Sequence, residues 1–131
     1  MFINFSNHLS KNWDEVQRTA ALEHGQIIDV LFPSVDPAGD EAYIARLADE
    51  SVRRIKSASK EIDAVMVQGE YNLTYEVVKR LRDDGIRVVS ACTKRDVKES
   101  IDEFGNIIKQ SKFSFVRFRD YDAVESVLVK Q

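Results

Sequence analysis

The sequence contains 131 residues, of which 44% are hydrophobic, and its formal net charge is −3. This length suits one domain with a single core, and the interspersed charges exclude the polycationic surface typical of proteins that bind long nucleic acids. The single Cys92 excludes an internal disulfide, and His8 and His24 lie too far apart for zinc-ligand spacing, so we expect no metal site and no cofactor.

The beginning of the chain, MFINFSNHLS, predicts a strand and no targeting segment. It lacks the basic region and long apolar run of a signal peptide, and no later stretch is long enough to span a membrane. We therefore expect a soluble cytoplasmic protein. Residues 1–6 form the first predicted strand.

A first helix is predicted after this strand. Asn12 and Glu15 have the spacing of a capping box, and Gly25 is a typical residue after the end of a helix. The apolar residues that we expect this helix to bury are Trp13, Val16 and Ala20.

Three further strands and two helices follow in alternation. The strands are predicted at residues 26–32, 62–67 and 86–92. One helix is predicted over about residues 40–60, with its apolar stripe at Ile44, Leu47, Ala48, Ser51 and Ile55. The other ends at Asp84-Gly85, and its stripe consists of Leu73, Val77, Val78 and Leu81.

The predicted strands are continuous apolar runs, which is typical of a parallel sheet covered on both faces. The sequence therefore predicts a single α/β domain over residues 1–131, doubly wound and Rossmann-like. In the last third, residues 93–102 and 107–119 flank a turn that contains Gly105. We predict an antiparallel β-hairpin that extends the sheet, followed by a short helix or strand over residues 121–129.

Polar side chains follow each of the four predicted strands. In an open parallel sheet, ligands bind outside the carboxyl ends of the strands, where the strand order changes direction. A gathering of imidazole, amides, carboxylate, hydroxyls and cations there suits a ligand with phosphates and nucleobases. The residues at the four exits are Ser6, Asn7 and His8; Phe32, Pro33 and Ser34; Gln68, Gly69 and Glu70; and Thr93, Lys94 and Arg95.

The third exit carries the most specific expectations. Gly69 would let the backbone approach a ligand, and a helix start near Asn72 would offer free N–H groups to an anion. Glu70 would repel a phosphate, unless it binds a ribose hydroxyl or a base edge or takes part in proton transfer.

Each of these residues also has a structural interpretation. His8 could be a polar turn residue, and Ser6 and Asn7 could cap the first helix. Gln68 could bond a neighbouring loop, while Glu70 could favour the helix dipole.

A second polar cluster is predicted in the hairpin. Strand alternation would place Arg117 and Arg119 on one face with Phe113, Phe115 and Tyr121, and Val116 and Phe118 on the other. The two arginines could bind phosphates or stack on adenine. They could equally pair with Asp120, Asp122 or Glu99.

Four ordered segments, INFSNHLS, VMVQGEYNLTYEVV, ACTKRDVKE and KFSFVRFRDY, carry a family resemblance. Together they resemble a family of small CRISPR-associated proteins with a CARF-like, Rossmann-like fold, some of which are ring nucleases. The resemblance covers about residues 2–121. QGEYNLTY and VRFRDY are fairly specific in combination and weak separately.

The resemblance implies a homodimer that binds cyclic oligoadenylate, in particular the four-adenylate ring made by type III CRISPR complexes. It would cleave this messenger to linear products without a metal and switch the signal off. Asn7 and His8 would approach the scissile phosphate, with His8 as acid or base and Glu70 as the alternative base.

The remaining roles also follow from the resemblance. Lys94 and Arg95 would counter the phosphate charge, with Arg95 in the catalytic group. The other residues expected to contact or shape the ligand site are Ser6, Gln68, Gly69, Thr74, Tyr75, Thr93, Arg117 and Arg119.

Two other hypotheses remain open. The first is a non-catalytic binder of cyclic oligoadenylate, a sponge or sensor with the same pocket. The second is an unrelated α/β module that binds a mononucleotide or a protein at the same sheet edge, because one fold supports many functions.

Overall fold

The computed structural model describes residues 1–122, which form a five-stranded sheet flanked by helices. The strand order is β2-β1-β3-β4-β5, with β1 to β4 parallel and β5 antiparallel to β4. The predicted α/β class and the antiparallel hairpin are confirmed. The elements are β1 (Phe2–Ser6), α1 (Glu15–Leu22), β2 (Ile27–Leu31), α2 (Glu41–Ala58), β3 (Ala64–Val67), α3 (Tyr71–Asp83), β4 (Val88–Ile101) and β5 (Ile107–Asp120).

Both faces of the central strands are buried, and every residue of β1 and β3 lies inside the protein. Alternate side chains of a strand point to opposite faces, so these two strands contribute to two cores. The core on the α2 and α3 side includes Ile3, Phe5, Ile55, Val65, Val67, Leu73, Val77 and Leu81. The core on the α1 side consists of Phe2, Trp13, Ala21, Ala64, Met66 and Val89.

The helical stripe predicted for α3 is confirmed, since all four of its apolar residues are buried. The helix ends where predicted, with Asp84 as its C-cap and Gly85 at a φ of 78°. This left-handed conformation favours glycine because it has no Cβ. The stripe predicted for α2 is close to the observed one, which adds Val52 to the buried residues.

The predicted start of the first helix is wrong. Residues Ser10–Asn12 form a 3₁₀ turn, and the cap of α1 is Asp14, whose Oδ1 accepts a hydrogen bond of 2.8 Å from Gln17 N. Val16 is 60% exposed and does not join the core. Asp14 displaces Asn12 as the cap because its second oxygen also binds the sheet, accepting from Phe115 N at 3.2 Å.

The fourth strand is longer than predicted, running to Ile101 instead of ending at residue 92. β3 pairs with β4 only from Val65↔Val88 to Met66↔Val89, whereas β5 pairs with β4 along its whole length. Pairing with β5 therefore keeps β4 extended well beyond the end of β3. The hairpin turn lies between Ile101 and Ile107, with Gly105 at a φ of 80°.

The predicted C-terminal helix or strand falls on residues 121–129, of which 123–129 lie outside the described residues. Within residues 1–122, no helix has both the length and the apolar character needed to cross a bilayer.

Replacement of Asp14 by alanine tests the link between α1 and β5. Asp14→Ala removes the helix cap and leaves the part-buried Phe115 N–H without its acceptor. We expect a loss of about 1 to 3 kcal/mol in the free energy of unfolding, measured by urea denaturation.

The control is Glu15→Ala at the neighbouring exposed position, where one ion pair with Arg18 is lost. This change should cost about 0.5 kcal/mol or less. Equal losses in the two variants would contradict the bridging role of Asp14.

Candidate functional site

The chain changes direction across the sheet between β1 and β3. It passes from β1 to β2 on one side and then returns to place β3 on the other side of β1. The carboxyl ends of β1, β2 and β3 share one edge of the sheet, which we call the carboxyl edge. Because ligands of open α/β sheets bind where the strand order reverses, the exits of β1 and β3 define the candidate site.

The turn after β1 is held by buried polar groups. Asn4 Nδ2 donates to the His8 carbonyl and to Asp29 Oδ1, each at 2.8 Å. Ser6 Oγ donates to Asn4 Oδ1 at 2.7 Å and accepts from His8 N at 3.2 Å. Trp13 Nε1 also donates to the His8 carbonyl, at 3.2 Å. The backbone at His8 is therefore fixed by three side chains.

This network separates the predicted residues of the first exit into two groups. Ser6 is buried, and its hydroxyl both donates and accepts a hydrogen bond within the turn. These contacts support a structural role for Ser6. Asn7 and His8 have exposed side chains on this fixed turn. Asn4 and Asp29 were missed by the sequence analysis, although a polar residue inside each of two apolar strands was a visible indication.

At the exit of β3, Gln68 and Gly69 make contacts within the protein. Gln68 N donates to the Phe5 carbonyl at 3.2 Å, and its Oε1 accepts from Ala91 N. A Cβ on Gly69 would lie 2.5 Å from the ring of Phe32. Glycine is thus required at this position by the packing of Phe32 from the second exit.

Glu70 is the cap of α3. Its Oε1 accepts a hydrogen bond of 2.8 Å from Leu73 N, and the helix begins at Tyr71. Leu73 N is therefore not free, and the Glu70 carboxylate lies at the helix start where an anion would bind. The other carboxylate oxygen of Glu70 is not used by this cap and lies near the exits of β1 and β3, where the strand order reverses.

The fourth predicted exit does not exist, since Thr93, Lys94 and Arg95 lie inside β4. All three are exposed. Lys94 Nζ lies 3.9 Å from Asp96 Oδ1, and Arg95 Nη2 donates to Ser111 Oγ at 3.0 Å. Within residues 1–122, no hydrogen bond or ion pair joins these three side chains to His8 or Glu70.

The predicted faces of β5 are partly wrong because of a β-bulge. The register passes from Cys92↔Arg117 to Thr93↔Phe115, which leaves Val116 as an extra residue. A bulge of one residue inverts the alternation. Phe115 therefore shares a face with Phe118, their ring centroids being 4.7 Å apart, and no longer a face with the arginines.

Arg117 and Arg119 share the α3 side of the sheet with Tyr121, as alternation from the register requires. Arg117 Nε donates to the Phe118 carbonyl at 3.0 Å. Neither arginine forms an ion pair within residues 1–122. The carboxylates suggested as partners pair elsewhere, Asp120 with Arg87, Asp122 with Arg82 and Glu99 with Lys109.

Thr74 and Tyr75 lie on the first turns of α3. Within the described chain, the buried Thr74 Oγ1 has no hydrogen-bond partner. Tyr75 is exposed and borders a cleft of about 300 Å³ between the starts of α2 and α3. This cleft is acidic, because Asp40, Glu41 and Glu76 line it. It does not suit an anionic ligand.

A larger cleft of about 720 Å³ runs along α3 from Tyr75 to Arg87. It extends from Tyr75, on the first turns of α3, to the amino end of β4, and Tyr121 also lines it. Its arginines Arg82 and Arg87 are paired with Asp122 and Asp120, so we do not assign the site to it. Among residues 1–122, no group of three or more His, Cys, Asp or Glu side chains is placed to hold a metal ion.

Tyr121 connects the end of β5 to the carboxyl edge, a contact that the sequence did not reveal. Its hydroxyl donates to the carbonyl of Val67, the last residue of β3, at 2.7 Å. Partial burial raises the pKa of Tyr121, which is 40% exposed, and the nearby Cys92 raises it further. The hydroxyl is therefore kept neutral as a donor.

A family model described as "Uncharacterized protein MJ1673 family" matches residues 1–119, which include all but the last residue of the sheet. No curated protein matches the sequence.

The raised pKa of Tyr121 predicts a loss of stability in alkali. The folded protein holds the proton more tightly than the unfolded chain, so this contribution is complete below a pH of about 10 and is lost as the pH rises through the folded pKa. In urea unfolding between pH values of about 8 and 11, wild type should lose stability more steeply than Tyr121→Phe.

Tyr71→Phe is the matched control, since Tyr71 is 90% exposed. Its alkaline slope should equal that of wild type. The same slope in Tyr121→Phe would contradict the role of burial at Tyr121.

Proposed function

The chain belongs to the MJ1673 family, and we propose that it is a metal-independent ring nuclease that cleaves cyclic oligoadenylate, in particular cyclic tetra-adenylate. The observation that supports this proposal most is the position of His8. Its exposed imidazole stands on a turn fixed by Asn4, Ser6 and Trp13, where the strand order reverses. This is the preferred place for a ligand in such a sheet.

The proposed fold is the Rossmann-like, CARF-like one. Four parallel strands with helices on both faces are compatible with it, as is the antiparallel β5. The resemblance of QGEYNLTY and VRFRDY to the CRISPR-associated ring nucleases is the second support. These segments contribute Gln68 and Glu70 at the end of β3, and Arg117 and Arg119 on β5, with β4 between the two strands.

The proposed reaction uses the nucleophile that RNA itself carries. The ribose 2′-oxygen attacks the adjacent phosphorus, the bond from phosphorus to the 5′-oxygen breaks, and a linear product with a 2′,3′-cyclic phosphate results. A base takes the 2′-hydroxyl proton, and an acid gives a proton to the leaving 5′-oxygen. The protein has to align these atoms and stabilise the developing charge.

His8 is the proposed acid or base, because an imidazole can both accept and donate a proton in catalysis. Asn7, exposed beside it, would position the phosphate. Arg117 and Arg119 supply positive charge that no ion pair within residues 1–122 neutralises. Lys94 and Arg95 lie farther out along β4 and point to opposite faces. Lys94 shares the face of Arg117 and Arg119 and would contact a ring that extends beyond the end of β3, whereas Arg95 lies on the other face.

Glu70 is the alternative base. Its Oε1 is used as the cap of α3, which leaves Oε2 for a ribose hydroxyl or a base edge. Gln68 holds β4 through its Oε1, so that only its Nε2 would face the ligand. Thr74, whose buried Oγ1 lacks a partner in the described chain, and Tyr75 would shape the adjoining wall.

In the cell, the proposed enzyme works in the cytoplasm as an off-switch of type III CRISPR signalling. A ring with rotational symmetry suits a homodimer, which presents the same site twice. Long nucleic acids and membranes are not proposed partners.

A non-catalytic binder is the second candidate. It is favoured by one observation, namely that no hydrogen bond or ion pair within residues 1–122 joins His8, Glu70 and Arg95 into one catalytic group. Such a protein would hold the ring intact as a sponge or sensor. An unrelated α/β module would bind neither ring nor linear oligoadenylate.

Substitution of His8 tests the proposed activity. We expect wild type, with EDTA and an excess of cyclic tetra-adenylate, to form linear products in amounts beyond its own concentration. His8→Ala should lower the rate about 100-fold or more, since a general acid or base contributes roughly that factor. Product chromatography over time gives both rates.

The matched control is His24→Ala, because His24 stacks on Phe2 on the α1 side of the sheet, away from the carboxyl edge. It should keep the wild-type rate. Intact ring that co-elutes with wild type would establish the binder, and the absence of both cleavage and binding would establish an unrelated module.

Two variants of Glu70 separate its structural and chemical roles. Glu70→Gln keeps an oxygen that accepts from Leu73 N but removes the charge, whereas Glu70→Ala also removes the cap. If Glu70 is the base, both variants lose about 100-fold or more in rate. If it is only a cap, Glu70→Gln keeps the rate, and Glu70→Ala loses about 1 kcal/mol of stability in urea denaturation.

A further inference from the structure

The outer part of the β4–β5 hairpin extends beyond the rest of the sheet. We call residues 93–115 the ribbon. In the described part of the chain, no third strand pairs with it. An isolated two-stranded hairpin is at best marginally stable in water, so a ribbon of this length calls for a covering surface.

One face of the ribbon carries five apolar side chains among ten, and we call it the apolar face. The register and the alternation of side chains place ten residues on it, and the observed contacts of Arg95 with Ser111 and of Glu99 with Lys109 agree with this arrangement. From the base to the tip, the cross-strand pairs of this apolar face are Thr93/Phe115, Arg95/Phe113, Val97/Ser111, Glu99/Lys109 and Ile101/Ile107.

The apolar face is open to solvent except at its base. Val97 is 54% exposed, Phe113 63%, Ile107 68% and Ile101 74%. Phe115 is only 7% exposed and joins the face to the core on the α1 side. The opposite face of the ribbon is mainly polar, with Lys94, Asp96, Lys98, Ser100, Gln110, Lys112 and Ser114.

We propose that a second copy of this chain covers the apolar face. The order of residue types along the five pairs is the same from either end. Apolar residues occur in the first, third and fifth pairs, and charged residues occur in the second and fourth. Two ribbons can therefore pack face to face and antiparallel, about a two-fold axis at the Val97/Ser111 pair. An interface of this kind must be complementary to itself.

Two of the three charges on the apolar face, Arg95 and Glu99, fit this arrangement, and the third, Lys109, pairs with Glu99 of its own chain. Successive pairs are two residues apart, about 7 Å along the strand, so the second and fourth pairs lie equally far from the axis. Arg95 then faces Glu99 of the partner subunit, and Glu99 faces the partner's Arg95. At the base of the face, the exposed Thr93 then lies opposite Ile101 of the partner subunit, while Phe115, only 7% exposed, stays packed in the core of its own chain.

This interface is inferred from the ribbon alone. It identifies the surface through which the proposed homodimer forms and does not depend on what the carboxyl edge binds. A nucleic-acid partner is disfavoured, because Glu99 lies within the face and would meet the phosphate backbone.

Reciprocal charge exchange tests the pairing of Arg95 with Glu99 of the partner subunit. Arg95→Glu alone places acids opposite each other, and Glu99→Arg alone places bases opposite each other. Each variant should raise the dimer dissociation constant about tenfold or more. When the two variants are mixed, both charge pairs are complementary, and a heterodimer of wild-type affinity should form.

Molar mass from light scattering after size-exclusion chromatography gives the result, with circular dichroism as the check of folding. The controls are Asp96→Lys and Lys98→Glu on the polar face, which should remain dimeric. A monomeric wild type, single variants that dimerise like wild type, or a mixture that stays monomeric would each overturn the proposal. Since mass is measured, none of these outcomes depends on ring cleavage.

Discussion

Burial of β1 on both faces is the constraint on which the rest of the structure depends. A strand inside two cores can tolerate polar side chains only if each finds a hydrogen-bond partner. Asn4 and Ser6 meet this requirement with one another, with Asp29 and with the backbone of His8. The same bonds that make the buried strand possible therefore fix the turn at its exit. Because β1 lies between β2 and β3, this fixed turn stands where the chain reverses its direction across the sheet.

Much of the candidate site is built from residues with structural duties. Ser6, Gln68 and Glu70 each hold a turn, a neighbouring strand or a helix start through at least one polar atom. These bonds set the geometry of the edge and leave fewer atoms for a ligand. Within residues 1–122, the exposed side chains of Asn7, His8, Arg117 and Arg119 form no hydrogen bond or ion pair apart from the bond of Arg117 to the Phe118 carbonyl. The carboxyl edge therefore consists of residues fixed by hydrogen bonds and of a few exposed side chains that are available to a ligand.

The sequence was sufficient for features that depend on local periodicity and insufficient for those that depend on distant pairing. The stripe of α3 was predicted fully because four apolar residues at helical spacing need only one surface to pack on. The end of β4 was not predicted, because the length of this strand depends on its pairing with β5. The predicted faces of β5 were wrong for Phe113 and Phe115, because the bulge at Val116 leaves no trace in an alternating pattern. The choice of Asp14 over Asn12 as the cap likewise required knowledge of Phe115.

The bond between Asp14 and Phe115 also has a consequence for the order of folding. It joins atoms that are 101 residues apart, so the cap of α1 is shared with nearly the last strand to be made. Contacts of such long sequence separation are slow to form because the intervening chain must first be closed into a loop. During synthesis, β1 and α1 emerge early, but the contact of Asp14 with Phe115 can form only after β5 has been made. The N-terminal helix is thus among the first elements translated and among the last to be secured.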